Sequence, residues 1–362
     1  KAAAEAIHKG LAIEPRNPAL ALTAARLERR AKRGATARKR LNQVLKTEHP
    51  AQVEAAIHAE LGHVLASLDE HNEALASFKR ANKISARLVR AQVGRESGKK
   101  MTAAVLRRVE VALTQANTLA DAPADAGGSF SPTFIVGAPG AGISDLARSL
   151  RHLTDALVLD ELSPMATIDR AWTQAEGAGR QVNLAAMREH YALLANQHVG
   201  RDTPRHVIDA TGANLLCLDR VLALFPAARI VLVVRHPADQ ALAGLTALYA
   251  PSALTAQLLD PGDCLTLIDQ INTVARSLGR ALGDNLHVLR YETFLEEPRV
   301  ALASVLKFLD VPARPRVKPK TPDVREGFPP GQWKHYWPVL REHRSTLEAL
   351  CTASGYPFAP PE

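Results

Sequence analysis

The segment Thr133-Phe-Ile-Val136 runs directly into Gly137-Ala-Pro-Gly-Ala-Gly142 and then into Ile143-Ser-Asp-Leu-Ala-Arg-Ser-Leu150. The first stretch has the composition of a buried strand. The second is a turn, and the third opens a helix. Strand, glycine loop and helix in that order form a phosphate cradle, because loop N–H groups and the helix N-terminus converge on one anion. Gly137 and Gly142 have the spacing of a nucleoside-triphosphate loop, and Ser144 takes its closing Ser/Thr position. Ile143, however, stands where a Lys follows the second glycine. That Lys normally reaches the β- and γ-phosphates, so its loss disfavours an ATPase or kinase and points to a different phosphate donor. The competing reading is a plain glycine-rich turn between strand and helix.

Strand-like and helical segments alternate after this loop. Strands are predicted at Thr133–Val136, Leu157–Leu159, His206–Ile208, Arg229–Val234 and Leu286–Arg290. Helices are predicted at Leu146–Leu153, Ala185–Ala195, Leu215–Leu224, Cys264–Leu282 and Ala301–Leu309. The pattern predicts an α/β fold, a P-loop-like parallel sheet flanked by helices, with ligands at the carboxyl ends of the strands. Residues 1–120 differ: they are Ala-rich, helical in period and poor in strand formers. The small, polar stretch Asp121–Ser129 reads as a linker between this all-α domain and a second domain over 130–362.

Within the first domain, Leu61, Gly62, Leu65, Ala74, Phe78 and Ala81 fall at the spacings of a tetratricopeptide repeat. Ala37, Leu41 and Val44 show the second-helix pattern of the preceding unit. Ala3, Ile7, Gly10 and Pro15 match the tail of a still earlier unit. A generic helical bundle is the alternative. So short a stack needs support, and a helix near Met101–Asn117 is expected to dock it on the α/β domain.

Composition excludes several classes. Aromatic residues make up 4% of the chain and do not interleave with basic ones, which excludes single-strand stacking platforms. The net charge of +8 is not clustered enough for nucleic acid, and suits an anionic donor or an acidic acceptor. Cys217, Cys264 and Cys351 are too dispersed for a metal motif or a disulfide framework. The expectation is therefore a reducing, cytoplasmic compartment and no metal. No run is long and apolar enough to span a bilayer. The start at Lys1, without Met, suggests that the sequence begins inside a longer protein.

Four further segments follow the loop in order. They are Leu159-Asp-Glu-Leu-Ser-Pro164, Ile208-Asp-Ala-Thr-Gly-Ala-Asn214, Leu224-Phe-Pro-Ala-Ala-Arg-Ile-Val-Leu-Val-Val-Arg-His-Pro-Ala-Asp239, and Leu289-Arg-Tyr-Glu-Thr-Phe294. Phe-Pro-x-Ala-Arg before a strand, Arg-x-Pro-x-Asp after it, and Arg-Tyr-Glu at a later strand end together resemble the sulfotransferase family. The combination with helical repeats resembles its bacterial tetratricopeptide-repeat branch, similar in pattern to protein-tyrosine sulfotransferases. The resemblance covers about residues 130–345.

That resemblance implies 3′-phosphoadenosine 5′-phosphosulfate (PAPS) as donor and an acceptor hydroxyl, a peptide or protein tyrosine delivered through the repeats. It places the donor on Gly137, Pro139, Gly140, Ala141, Gly142, Ile143 and Ser144. Arg235 would grip the 3′-phosphate and Tyr291 lie near the nucleotide. Arg325, Trp333 and Lys334, in Arg325-Glu-Gly-Phe-Pro-Pro-Gly-Gln-Trp-Lys334, would close over it. Glu161 would be the base, with Asp160 beside it as a fallback. The family loop reads Gly-x-Pro-Arg-Ser-Gly-Thr-Thr, so Gly140, Ala141 and Ile143 depart from it. Ala210 and Ala243 replace a Lys and a Ser, and Asn214 reads as a possible helix cap. These losses keep a second reading open: a catalytically impaired scaffold that binds a protein or peptide through its repeats. A P-loop kinase is third, since no Mg²⁺-holding acid is evident.

Overall fold

The computed structural model describes residues 2–93, 95–115, 131–160, 163–197, 206–319, 322, 324 and 328–361. The helical region comprises α1 (Ala2–Ile13), α2 (Pro18–Arg30), α3 (Gly34–Val44), α4 (Ala51–Ala66), α5 (His71–Gln92) and α6 (Arg95–Gln115). The α/β region follows as β1 (Thr133–Val136), α7 (Ile143–Leu153), β2 (Leu157–Leu159), α8 (Pro164–Gly177), α9 (Leu184–Asn196) and β3 (Val207–Asp209). It continues with α10 (Leu218–Leu224), β4 (Ile230–Val234), α11 (Pro237–Thr246), α12 (Pro261–Leu282) and β5 (Leu286–Arg290). The last helices are α13 (Tyr291–Glu296), α14 (Pro298–Leu309), α15 (Trp337–Leu340) and α16 (Arg344–Ala353).

The five strands form one parallel sheet in the order β2-β3-β1-β4-β5. The period of two along each strand divides the core between the faces. Phe134, Val136, Ile230 and Leu232 point into one buried cluster. Ile135, Ile208, Val231 and Val233 point into the other, with Leu146, Leu150 and Phe294. Because β1 pairs with β3 on one side and β4 on the other, the strand order reverses beside β1. That reversal opens a crevice at the carboxyl ends of these strands.

In the helical region, α4 and α5 touch where a side chain is missing. A Cβ on Gly62 would lie 2.5 Å from the Phe78 ring, and Ala74 and Ala81 are buried beside it. The first core cluster continues from these helices into the α/β region. The joint is aromatic and polar together. Phe78 meets Phe328 and Tyr336, the His71 and His335 rings stack at 4.1 Å, and Asn82 Nδ2 donates to the Leu245 carbonyl at 2.8 Å. The helix α6 packs along α12 as the docking helix, tied to α12 by Lys99 to Asp263 (2.5 Å) and to α10 by Arg108 to Asp219 (2.9 Å).

Some local expectations change. The segment Gly212–Cys217 is a 3₁₀ turn, and only Leu218–Leu224 is α-helical. Asn214 is buried within that turn and caps nothing. The strand expected at His206–Ile208 runs Val207–Asp209, because Asp209 still pairs with Phe134 and Leu159. The linker Asp121–Ser129 lies outside the described residues. All three cysteines are free and buried, and burial pushes Cys264 up to about 12 and Cys351 up to about 11.

His63 of α4 packs in this joint, partly buried, against Phe78 and Phe328. Burial, with Arg29 nearby, lowers its pKa to about 3, against a hydrogen bond to the Thr246 backbone that acts the other way. The unfolded chain takes up this proton near pH 6.5 and the folded chain does not until about pH 3. Stability must therefore fall as pH drops through that window, by at most roughly 1.4 kcal/mol per pH unit from this group. Urea unfolding of wild type and His63→Asn at pH 7, 5 and 4 isolates this contribution. Wild type should lose more stability than the variant on acidification; parallel losses would contradict the assignment.

Candidate functional site

The crevice beside β1 is a cavity of about 740 Å³. Its floor is the whole Gly137–Ser144 loop. Its walls come from Ala210–Ala213 after β3, from Ala243 and Ala247 of and after α11, from Tyr249–Ser252, and from Asp160 and Ser163 after β2. The size suits a small organic ligand.

Two backbone conformations shape the loop. Gly140 (φ +81°) and Gly142 (φ +96°) occupy the left-handed region. At Gly142 the space is also taken, since a Cβ there would lie 2.2 Å from the Tyr291 ring. Gly142 caps α7 without a side-chain acceptor. The first-turn N–H groups of Ile143 and Ser144 thus gain no side-chain cap at the floor of the cavity, the arrangement that favours an anion.

The missing family cation has a structural counterpart. A Cβ on Gly140 would lie 2.9 Å from both the Ala243 Cβ and the Gln240 carbonyl oxygen. The loop rests directly on α11 through two small residues, so the departures at 140 and 243 form one contact. Ile143 likewise fills with carbon where a hydroxyl is expected, and its Cδ1 would crowd a Cβ on Gly212 at 2.8 Å.

Arg235 follows β4 and is 2% exposed. Its Nη1 donates to the Gly140 carbonyl at 3.0 Å and its Nη2 to the Phe328 carbonyl at 2.5 Å. The guanidinium lies 4.8 Å over the Tyr291 ring. Tyr291 is fully buried and donates to Asp145 at 2.7 Å, and Asp145 in turn pairs with Arg148 at 2.8 Å. Burial and the Asp145 charge push the Tyr291 phenol far up, so it stays protonated. Asp239 completes the turn. It accepts the Gly331 N–H at 2.7 Å and the Trp333 N–H at 3.3 Å, and burial raises its pKa despite these bonds. The Arg235–Asp239 turn thus clamps the late segment 328–333 from both ends and ties it to the glycine loop.

The residues predicted from the sequence therefore divide. The seven loop positions line the cavity; Arg235 and Tyr291 support the loop from behind. Trp333 is 2% exposed and stacks on His236 (5.5 Å) and Phe358 (5.8 Å), a core residue of the late segment. Lys334 is exposed beside it, 6.0 Å from the Trp333 ring. Glu161 and Arg325 lie outside the described residues. Asp160 does line the cavity, with Ser144 Oγ at 3.4 Å and Arg151 at 3.2 Å. Among the described lining residues it is the charged one.

Asp209 and Asp239 stand in the motifs quoted above without a role assigned to either. Asp209 ends β3 and holds the Tyr191 hydroxyl (3.0 Å) and the Thr211 N–H (3.2 Å), which sets the Ala210–Ala213 wall. Burial raises its pKa to about 6 against these hydrogen bonds. Its only signal in the sequence was an acid at a strand end. Asp239 carried a clearer one, its fixed spacing from Arg235.

Replacing Arg235 by Met keeps bulk but strands the Gly140 and Phe328 carbonyls. The loss should be roughly 2–5 kcal/mol in denaturant unfolding, with faster amide exchange over 328–333. Unchanged stability would show that the clamp is not needed.

No curated protein sequence matches the chain. Among solved structures, it is similar to a sulfotransferase from Alicyclobacillus acidocaldarius at 16% identity and a TM-score of 0.38, covering 62% of this chain and 96% of that one. It is also similar to a sulfotransferase domain from the curacin biosynthetic pathway at 15% identity and a TM-score of 0.35, covering 63% and 99%. A sulfotransferase from Mycobacterium avium follows at 10% identity and 0.34, covering 83% and 92%. The profile described as "Sulfotransferase family" matches residues 132–315, just over half of the 362-residue sequence and the whole of the parallel sheet. The chain belongs to the sulfotransferase family.

Proposed function

We propose that this protein moves a sulfuryl group from PAPS to an acceptor hydroxyl, with the phosphosulfate end of the donor on the Gly137–Ser144 loop. The observation that carries this reading is the α7 N-terminus, without a side-chain cap, at the floor of a ligand-sized cavity where the strand order reverses. Backbone donors fit an anion there. Arg235 keeps one buried donor, Nε, without a partner among the described residues, which supports a role toward the 3′-phosphate. Its two terminal nitrogens already hold the protein's own backbone.

Transfer forms a bond from the acceptor oxygen to sulfur and breaks the bond from sulfur to the phosphate oxygen. The acceptor proton passes to a carboxylate. The family resemblance assigns that role to Glu161, next in sequence to the cavity-lining Asp160. Uncharged Ala, Leu and Pro side chains opposite suit an aromatic hydroxyl such as tyrosine, and the helical repeats offer a surface for the peptide that bears it.

One observation favours the second reading, a catalytically impaired scaffold. The described cavity lining contains no Lys, Arg or His, and a charge-assisted contact to phosphate is worth roughly 1.5–3 kcal/mol. Two measurements separate the readings. Adenosine 3′,5′-bisphosphate should raise the melting temperature more than AMP or ADP does, because only it carries a 3′-phosphate. Equal or absent shifts would remove the donor assignment. Glu161→Gln should then cut radiolabelled sulfate transfer to tyrosine peptides by about 10²–10⁴-fold while nucleotide binding persists. Nucleotide binding without transfer to any acceptor would establish the scaffold.

A further inference from the structure

A second cavity, of about 290 Å³, opens between the helical region and the α/β region. One wall is the face of α5 that carries Leu75, Phe78 and Ala86. The other is formed by the end of α11, through Leu242 and Leu245, and by Leu340. Three features distinguish it from a packing gap. Its lining is mostly apolar, with Asn82 and Thr246 already donating to the Leu245 and Leu242 carbonyls, yet Tyr336 lines it with a fully buried side chain whose hydroxyl has no hydrogen-bond partner among the described residues. A buried phenol left in that state costs free energy that a bound acceptor atom would recover. Lys79 and Lys83, one helical turn apart on α5, also line it and are exposed, and neither forms an ion pair among the described residues. No Asp or Glu lines the cavity among the described residues. It therefore presents a mostly apolar interior, one unused buried donor and two positive charges of a single sign.

We propose that this cavity binds a small amphipathic monoanion, an apolar chain or ring ending in a carboxylate. The apolar body packs against Leu75, Phe78, Leu242 and Leu245. The carboxylate supplies acceptors for the Tyr336 hydroxyl and the Lys79 and Lys83 ammonium groups. An uncharged alcohol leaves the lysines unused, and a cation is repelled by both. The site is separate from the glycine-loop cavity and does not depend on the donor assignment.

Isothermal titration of the full chain with decanoate, decanol and decyltrimethylammonium, each below its micelle concentration, tests this. Decanoate should bind saturably at one per chain, more tightly than decanol, and the cation should not bind. Lys79→Ala with Lys83→Ala should weaken decanoate roughly tenfold and leave decanol unchanged, with the difference shrinking at high salt. Tyr336→Phe should weaken decanoate by roughly 2–10-fold. Should Tyr336→Phe melt at a lower temperature, the lysine pair, on an exposed helix face, carries the test alone. Absence of saturable decanoate binding, or equal affinity in wild type and the lysine variant, would overturn the proposal.

Discussion

One buried guanidinium organises this molecule. Arg235 binds the carbonyl of Gly140 in the first loop and that of Phe328 in the last segment, and stacks on Tyr291 at the end of β5. Three chain segments far apart in sequence meet at one planar cation. A Lys could not reproduce this, because the fork geometry serves two carbonyls while the flat face serves the ring. The loop at the floor of the cavity rests on it. The glycine loop keeps its left-handed turn because Gly140 is held from below, and Gly142 closes on the same Tyr291 ring that Arg235 covers.

The same economy of space explains the departures from the family's loop. A side chain at position 140 would meet α11 through Ala243 and the Gln240 carbonyl. A loop seated that closely on a helix leaves no corridor for a cation. Anion binding at this site must therefore draw on backbone dipoles and on the α7 N-terminus, with side-chain charge held one layer back. The helical region is integral to this structure rather than an appendage. Its core is continuous with that of the sheet, and Phe78 reaches Phe328, whose carbonyl Arg235 holds.

Much of the fold was legible in the sequence. The strands β1 and β2 end where buried apolar runs meet Gly or Asp, while β5, an edge strand with Leu289 alone buried, ends before Tyr291. The docking helix was legible from its period. The 3₁₀ turn at Gly212–Cys217 was not, since such turns leave no apolar period to read. The loop positions could be found from glycine spacing alone. The working role of Arg235 could not, because its partners are backbone carbonyls 95 and 93 residues away and no side-chain pattern records them. Trp333 read as a member of a closing loop; its burial against His236 depends on residues near the chain end that no local motif connects.

Anion binding by the Gly137–Ser144 loop is what the proposed activity stands on. Amide hydrogen exchange with and without saturating adenosine 3′,5′-bisphosphate addresses it most directly. Exchange should slow over Gly137–Asp145 and Ala210–Ala213, with little change in α1–α3. Unaltered exchange at the loop, or protection confined to another region of the surface, would contradict a donor site there.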